Sequence, residues 1–252
     1  MHEARSDLSK GRSRASRSRI AAASGTPSRD QRRHDRGHRS DCRSFERAEH
    51  HPTRGGALSR TAPDLEQIRS DIVADPANAW AASASYQPVY VADASARIVI
   101  VGQAPGRKAQ ESGMPWNDAS GVRLINWLGV DENTFRDPSR FALLPMDFYY
   151  PGKGAHGDLP PRRDFAARWH PRILQAMPHI QLTLLIGSYA QHHYLDTREP
   201  LTATVRRFAD YLPAVLPLVH PSPLNFRWLT KNPWFEAEVI PRLRQCVHTA
   251  LA

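Results

Sequence analysis

The 252-residue chain carries 34 Lys and Arg against 25 Asp and Glu, a formal charge of +9, and holds only two cysteines. Cys42 and Cys246 are too few for a disulfide framework, a four-thiolate metal site or an iron–sulfur cluster, and no apolar run reaches the ~20 residues that span a bilayer. The charge is unevenly placed: residues 1–60 hold 15 basic and 7 acidic groups, a net of +8, which leaves 19 basic and 18 acidic groups, a net of +1, for residues 61–252.

Residues 1–60 are rich in Arg, Ser, His and Gly and nearly devoid of aliphatic periodicity. Such a segment buries too little apolar surface to offset its ordering entropy, so it is expected to be a disordered basic tail. One reading makes it an arm with sequence-independent affinity for phosphates. A targeting peptide fits poorly, because of the seven acids and the missing apolar h-region. A third reading is an upstream extension outside the native protein. Only 4 of the 34 basic residues are Lys, as expected of a GC-rich gene in which Arg-rich extensions arise easily.

Residues 61–252 are expected to form one domain. Thr61-Ala-Pro-Asp-Leu-Glu starts like a capped helix, with Pro63 near its first turn. Arg97-Ile-Val-Ile-Val-Gly102 reads as a buried strand. Ser120 to Gly129 reads as a helix with Ser120 as N-cap and Gly129 as C-cap. Phe141 to Met146 is a second strand and Asp164 to Met177 a helix. Leu182 to Gly187 is a third strand, followed by a short helix through Tyr189 and Gln191. Thr202 to Tyr211 is another helix, Ala214 to Val219 a fourth strand, and Trp234 to Leu251 a closing helix. This alternation predicts an α/β fold of three layers, α/β/α, around a four-stranded mainly parallel sheet.

In such folds ligands bind outside the carboxyl ends of the strands. The first strand ends in Gly102-Gln-Ala-Pro-Gly106, followed by Gly113-Met-Pro-Trp-Asn-Asp-Ala-Ser-Gly121. The second runs into Asp147-Phe-Tyr-Tyr-Pro-Gly152, the third into Gly187-Ser-Tyr-Ala-Gln191, the fourth into His220-Pro-Ser-Pro-Leu-Asn225. Each signal alone has a plain alternative. The first segment could be a tight turn, and it is neither a P-loop nor a dinucleotide fingerprint. His220 could be a core histidine and Trp116 a core aromatic.

Together, the segments resemble the uracil-DNA glycosylase superfamily, in its cluster-free bacterial branch. Gly102-Gln-Ala-Pro-Gly106 resembles the family loop that holds the hydrolytic water, and Gly187-Ser188 its phosphate-pinching turn. His220-Pro-Ser-Pro-Leu-Asn225 resembles the motif that supplies a histidine and a minor-groove wedge. Trp116 sits where relatives place the aromatic that stacks on a flipped base. The resemblance spans about Arg97 to Leu243, with the motifs in family order.

It implies a monofunctional DNA glycosylase that swings a uracil or similar deaminated base out of the duplex and hydrolyses its bond to deoxyribose, initiating base excision repair. His220 would donate to the base, and Leu224 would fill the gap left in the stack. Gly102, Ala104, Pro105, Gly106, Gly187, Ser188, Pro221, Ser222, Pro223, Leu224 and Asn225 would touch DNA, with Ser188 and Ser222 as neutral phosphate grips suited to a domain of net +1. Two positions depart from relatives. Gln103 and Ala104 stand where other branches have a carboxylate, and Gln103 is no general base. Asp118 is the nearest substitute, as water activator or cation stabiliser with Gln103 positioning the water, as in a branch with an Asp just downstream. Its alternative role is at the helix N-terminus, and Asp147 is the rival carboxylate.

The second departure is the absence of Asn at the end of the second strand. Main-chain groups near Met146, Asp147 and Phe148 are then the candidates to read the base, with Tyr150 or Tyr149 shaping the pocket; uracil, hypoxanthine and other deaminated bases stay open. The monofunctional reading follows from the lack of a lysine in the motifs. His192 and His193 lack a third ligand at metal spacing, Trp228 and Trp234 read as packing for the last helix, and Arg227 and Lys231 could reach phosphate. No cofactor, metal, cluster or membrane is expected, and the protein is expected to act on DNA as a cytoplasmic, nucleoid-associated monomer. The rivals are a non-catalytic nucleic-acid binder of the same fold and a hydrolase of free nucleosides or nucleotides.

Overall fold

The computed structural model describes residues 64–252 apart from His156. The basic segment 1–60 with Cys42, and the start of the first expected helix at 61–63, lie outside them.

The chain opens with α1 (Leu65–Ala74), capped by the Asp64 carboxylate on the Glu66 amide, and α2 (Ala79–Ser83). Strand β1 (Ile98–Val101) is followed by α3 (Arg107–Ser112), α4 (Ala119–Leu128) and α5 (Glu132–Arg136). Then come β2 (Phe141–Leu143), a small hairpin of β3 (Lys153–Gly154) and β4 (Gly157–Asp158), and α6 (Phe165–Gln175). Strand β5 (Leu182–Ile186) leads into α7 (Ser188–Tyr194) and α8 (Leu201–Arg206). Strand β6 (Val215–Leu218) precedes α9 (Phe226–Lys231) and α10 (Ile240–Leu251), which continues from a π-helical turn at Phe235–Val239.

Four strands form one sheet in the order β2-β1-β5-β6, and every pairing is parallel. The central strands are apolar except at Thr183 because both faces are covered. Alternation along β1 shows how: Ile98 and Ile100 join a core with Leu124, Trp127, Leu243 and Val247, whereas Val99 and Val101 join a second core with Ile68, Ile72, Trp169 and Ile173. Helices α4 and α10 therefore cover one face and α1 and α6 the other, giving the expected α/β/α sandwich. The chain moves from β1 to β2 on one side and to β5 and β6 on the other. That reversal puts the switch point between β1 and β5, where such sheets open a crevice at their carboxyl edge.

Several expected boundaries shift. Helix α4 is capped by Asp118, not Ser120: Asp118 is extended and its Oδ1 accepts from the Gly121 amide at 3.0 Å, while Ser120 lies buried in the first turn. Gly129 ends the helix in the left-handed region, as expected. The helix expected over 202–211 divides into α8 and a 3-10 turn at Phe208–Tyr211. Helices α3, α5 and α9 and the β3–β4 hairpin are too short to show a period.

Candidate functional site

The carboxyl ends of β1 and β6 and the hairpin enclose a cleft of about 580 Å³. Its walls are the Gly102–Gly106 loop, Trp116 and Asp118, then His220, Ser222, Leu224 and Asn225, and Lys153 and Asp158 from the hairpin.

Trp116 is placed by a constrained backbone. Its φ is +57°, a left-handed conformation unfavourable for a bulky residue. Arg136 holds the segment by donating to the carbonyls of Pro115 at 2.5 Å and Trp116 at 3.3 Å. Gly121 permits the close approach of α4, and the indole lies over Gly102, where a β-carbon would come within 3.1 Å of the ring. The Trp116 and His220 rings are 5.6 Å apart at a tilt of 32°.

His220 follows β6. Its Nδ1 accepts from the Ser222 amide at 3.1 Å, so in the neutral imidazole Nε2 carries the proton. Burial pushes its pKa down, opposed in part by the negative charge of Asp118. The net downward shift favours a neutral ring, whose donor is then at Nε2. The loop around it is tied internally: Asn225 Nδ2 donates to the His220 carbonyl at 2.8 Å, the Leu224 amide to Ser222 Oγ at 3.2 Å, and Arg123 to the Ser222 carbonyl at 3.0 Å. Leu224 is 86% exposed at the rim.

Asp118 fulfils its alternative role and also reaches the cleft. One carboxylate oxygen caps α4, and the side chain borders the cavity. Gln103 borders it too, with its Nε2 donating to the Leu159 carbonyl at 3.0 Å at the foot of the hairpin.

Other expected residues lie elsewhere. Met146, Asp147, Phe148 and Tyr150 do not line the cleft. The Met146 amide donates to the Gly102 carbonyl at 2.8 Å and the Asp147 amide to the Gln103 carbonyl at 3.2 Å, so neither is free to read a base. Phe148 is fully buried, stacked 4.4 Å from Tyr90 and 5.7 Å from His170. Its carbonyl accepts from the Val89 amide at 2.7 Å. Asp147, 1% exposed, is held by Arg162 through two bonds, Nε to Oδ2 at 2.7 Å and Nη2 to Oδ1 at 2.8 Å. That carboxylate faces a separate hollow with Trp80, Leu159 and Arg162. The Tyr150 amide donates to Gln110 Oε1 at 2.8 Å, and its hydroxyl stands 3.5 Å from Asp158 Oδ1. Tyr149 is buried and burial pushes its pKa up to about 12.

Gly187 adopts φ +85° at the end of β5, ahead of half-exposed Ser188; they and Pro221 stand outside the cleft wall. Pro223 is exposed beside Leu224. Trp228 and Trp234 pack edge-to-face at 5.7 Å against the last helix, as expected. Arg227 lies over the exposed Phe226 ring at 5.6 Å. His192 and His193 are exposed on α7, and among the described residues no three His, Cys, Asp or Glu side chains gather as a metal site. No helix among those residues is long and apolar enough to cross a membrane.

Sequence reasoning missed Lys153 and Asp158 in the cleft wall and the two arginine clamps, Arg123 and Arg136. Lys153 also brings to the cleft a lysine that the motifs lack. Gly152, Gly154 and Gly157 within six residues were the available sign of a tight hairpin. The clamps bind carbonyls, which leave no mark on a sequence.

The family model described as the uracil DNA glycosylase superfamily matches residues 88–244, from just ahead of β1 into α10. The matched span contains all four sheet strands and every wall of the cleft, and the chain belongs to the uracil DNA glycosylase superfamily.

Proposed function

We propose that the protein is a DNA glycosylase that removes uracil or a similar deaminated base by base flipping and hydrolysis, as a first step of base excision repair. The observation that carries this reading is the meeting of Trp116, His220 and Asp118 in one cleft with Leu224 exposed at its rim.

A flipped base stacks on the Trp116 indole, and Leu224 enters the gap left in the duplex. Ser222 and Ser188 grip backbone phosphates, together with the main-chain amides of the Gly102–Gly106 and His220–Asn225 loops. As the C1′–N bond breaks, its electron pair leaves with the base, and His220 Nε2–H donates to the base oxygen on which negative charge grows. Asp118, with one oxygen on the helix cap, offers the other to a water that attacks C1′ and gives up its proton. Gln103 holds that water through its side-chain carbonyl, its nitrogen being bound to Leu159. The departing base takes its proton from solvent. The reaction calls for no cofactor, and the protein works on DNA as a monomer in the cytoplasm.

The test is incubation of the full chain with duplexes carrying uracil, hypoxanthine or xanthine, followed by alkaline cleavage at abasic sites. Cleavage of at least one is expected. Binding without cleavage would indicate a non-catalytic binder, and release of base from free nucleosides alone a nucleoside hydrolase; either outcome overturns the reading.

A further inference from the structure

The hairpin brings two opposite charges to the cleft. Lys153 and Asp158 are directly paired across β3 and β4, so their side chains share one face. Both line the cleft with Trp116, Asp118 and His220. Among the described residues, no ion pair joins either of them to another side chain. The hairpin itself is anchored: the Leu159 amide donates to the Gly152 carbonyl at 2.9 Å, and the Leu159 carbonyl accepts from Gln103. A donor and an acceptor on an anchored hairpin, the acceptor 3.5 Å from the Tyr150 hydroxyl, thus stand side by side at a site whose neighbouring main-chain amides, those of Met146 and Asp147, are already bonded.

We propose that Lys153 and Asp158 together read the flipped base, Asp158 accepting from its ring N–H and Lys153 donating to the adjacent carbonyl. The inference rests on the glycosylase reading above and assigns its substrate class. Uracil, hypoxanthine and xanthine all present a carbonyl beside a ring N–H on the pairing edge. Cytosine and adenine present the reverse, an amine beside an unprotonated nitrogen. Against those parent bases Lys153 would face an amine and Asp158 a lone pair, so the pair attracts the deaminated product and repels its precursor. Thymine and guanine carry the same edge as the products, and their rejection falls to the shape of the cleft.

The test uses the full chain and non-cleavable probes: one duplex with 2′-fluorodeoxyuridine, one with 2′-fluorodeoxycytidine, and one with an abasic analogue. Excision of uracil by the wild type reports separately on the glycosylase reading. Tighter binding of the fluorouridine duplex than of the fluorocytidine duplex is expected. Asp158→Ala and Lys153→Met should each weaken fluorouridine binding about ten- to a hundred-fold, the range of a hydrogen bond to a charged group. They should leave abasic binding unchanged, since that probe has no base to read. Asp158→Asn, whose carbonyl still accepts, should restore part of the loss. An equal loss on the abasic duplex would mark a phosphate contact or a disturbed fold. Slower excision with unchanged fluorouridine binding would mark a chemical role for Asp158. Either result, or a wild type with no preference between the two bases, overturns the proposal.

Discussion

A β-carbon on Gly121 would stand 1.9 Å from the carbonyl oxygen of Trp116, closer than any packing tolerates. The first turn of α4 and the segment bearing Trp116 are therefore built against one another, with Arg136 donating to the same carbonyl at 3.3 Å. A left-handed conformation at a non-glycine residue costs about 1–3 kcal/mol and persists only where its surroundings impose it. Gly121→Ala should release that constraint, because the Trp116 carbonyl must move. Excision is expected to fall at least about tenfold, the effect of even a small misplacement at a reacting centre. Single-turnover rates, with near-UV circular dichroism to follow the tryptophan environment, provide the check; unchanged rates would show that the Trp116 conformation is dispensable.

Asp118 and Asp147 should separate cleanly on exchange for Asn. Asn is as good an N-cap as Asp, so Asp118→Asn should leave stability within a few tenths of a kcal/mol. It should cut excision about 10²–10⁴-fold, the usual contribution of a general base. Asp147→Asn removes the buried partner of Arg162 and should lower stability by about 3 kcal/mol, toward the low end of the cost of breaking a buried pair because Arg162 is partly exposed. Its excision rate well below the melting temperature should be close to that of the wild type. Thermal melts with single-turnover assays on both variants decide, and full activity in Asp118→Asn would remove that carboxylate from the mechanism.

Much of this was legible in the sequence, for particular reasons. Ile98–Val101 is apolar throughout and Leu182–Ile186 at all but Thr183, and a glycine follows each, a pattern that suits strands covered on both faces. Once those strands are placed, the rule of carboxyl ends brings Trp116, Asp118 and His220 to one edge. Asp147 shows the limit of that rule. It also follows a strand, but which way a side chain turns there depends on a partner, and Arg162 lies 15 residues further on. Ser120 was expected as the helix cap and Asp118 takes that place: both residue types cap well, and the bond from the Gly121 amide to Asp118 with the burial of Ser120 decides between them. Lys153 and Asp158 escaped because a two-residue strand has no period to detect.

His170 makes the fold sensitive to acid. It is 1% exposed, with its ring nitrogens at the Tyr194 hydroxyl, 2.7 Å, and the Pro145 carbonyl, 3.0 Å. Burial pushes its pKa from the ordinary 6.5 down to about 4. Above pH 6.5 folded and unfolded chains are both neutral at this group. Below it the unfolded chain takes up a proton that the folded one refuses, so stability falls with pH until the folded ring also titrates near 4. The loss over that window is about 3 kcal/mol. His220, also lowered by burial, adds in the same direction. Urea melts between pH 7 and pH 4 should show the decline, and His170→Gln should flatten it. An equal slope in both proteins would place the acid sensitivity elsewhere.

Leu224 separates stability from function most sharply. At 86% exposure it packs against almost nothing, so Leu224→Ala should change stability by no more than about 0.5 kcal/mol. Its position matters only if a duplex must be held open. Removing the wedge returns the unstacking cost, a few kcal/mol, to the flipping step. Excision from duplex DNA should therefore fall about ten- to a hundred-fold, while excision of the same base from single strands, which have no partner strand to displace, stays near the wild-type rate. Parallel assays on the two substrates make the comparison internal to one protein preparation. Equal losses on both would make Leu224 a general contact, and no loss on either would mean that another group, with exposed Phe226 the nearest in sequence, fills the gap.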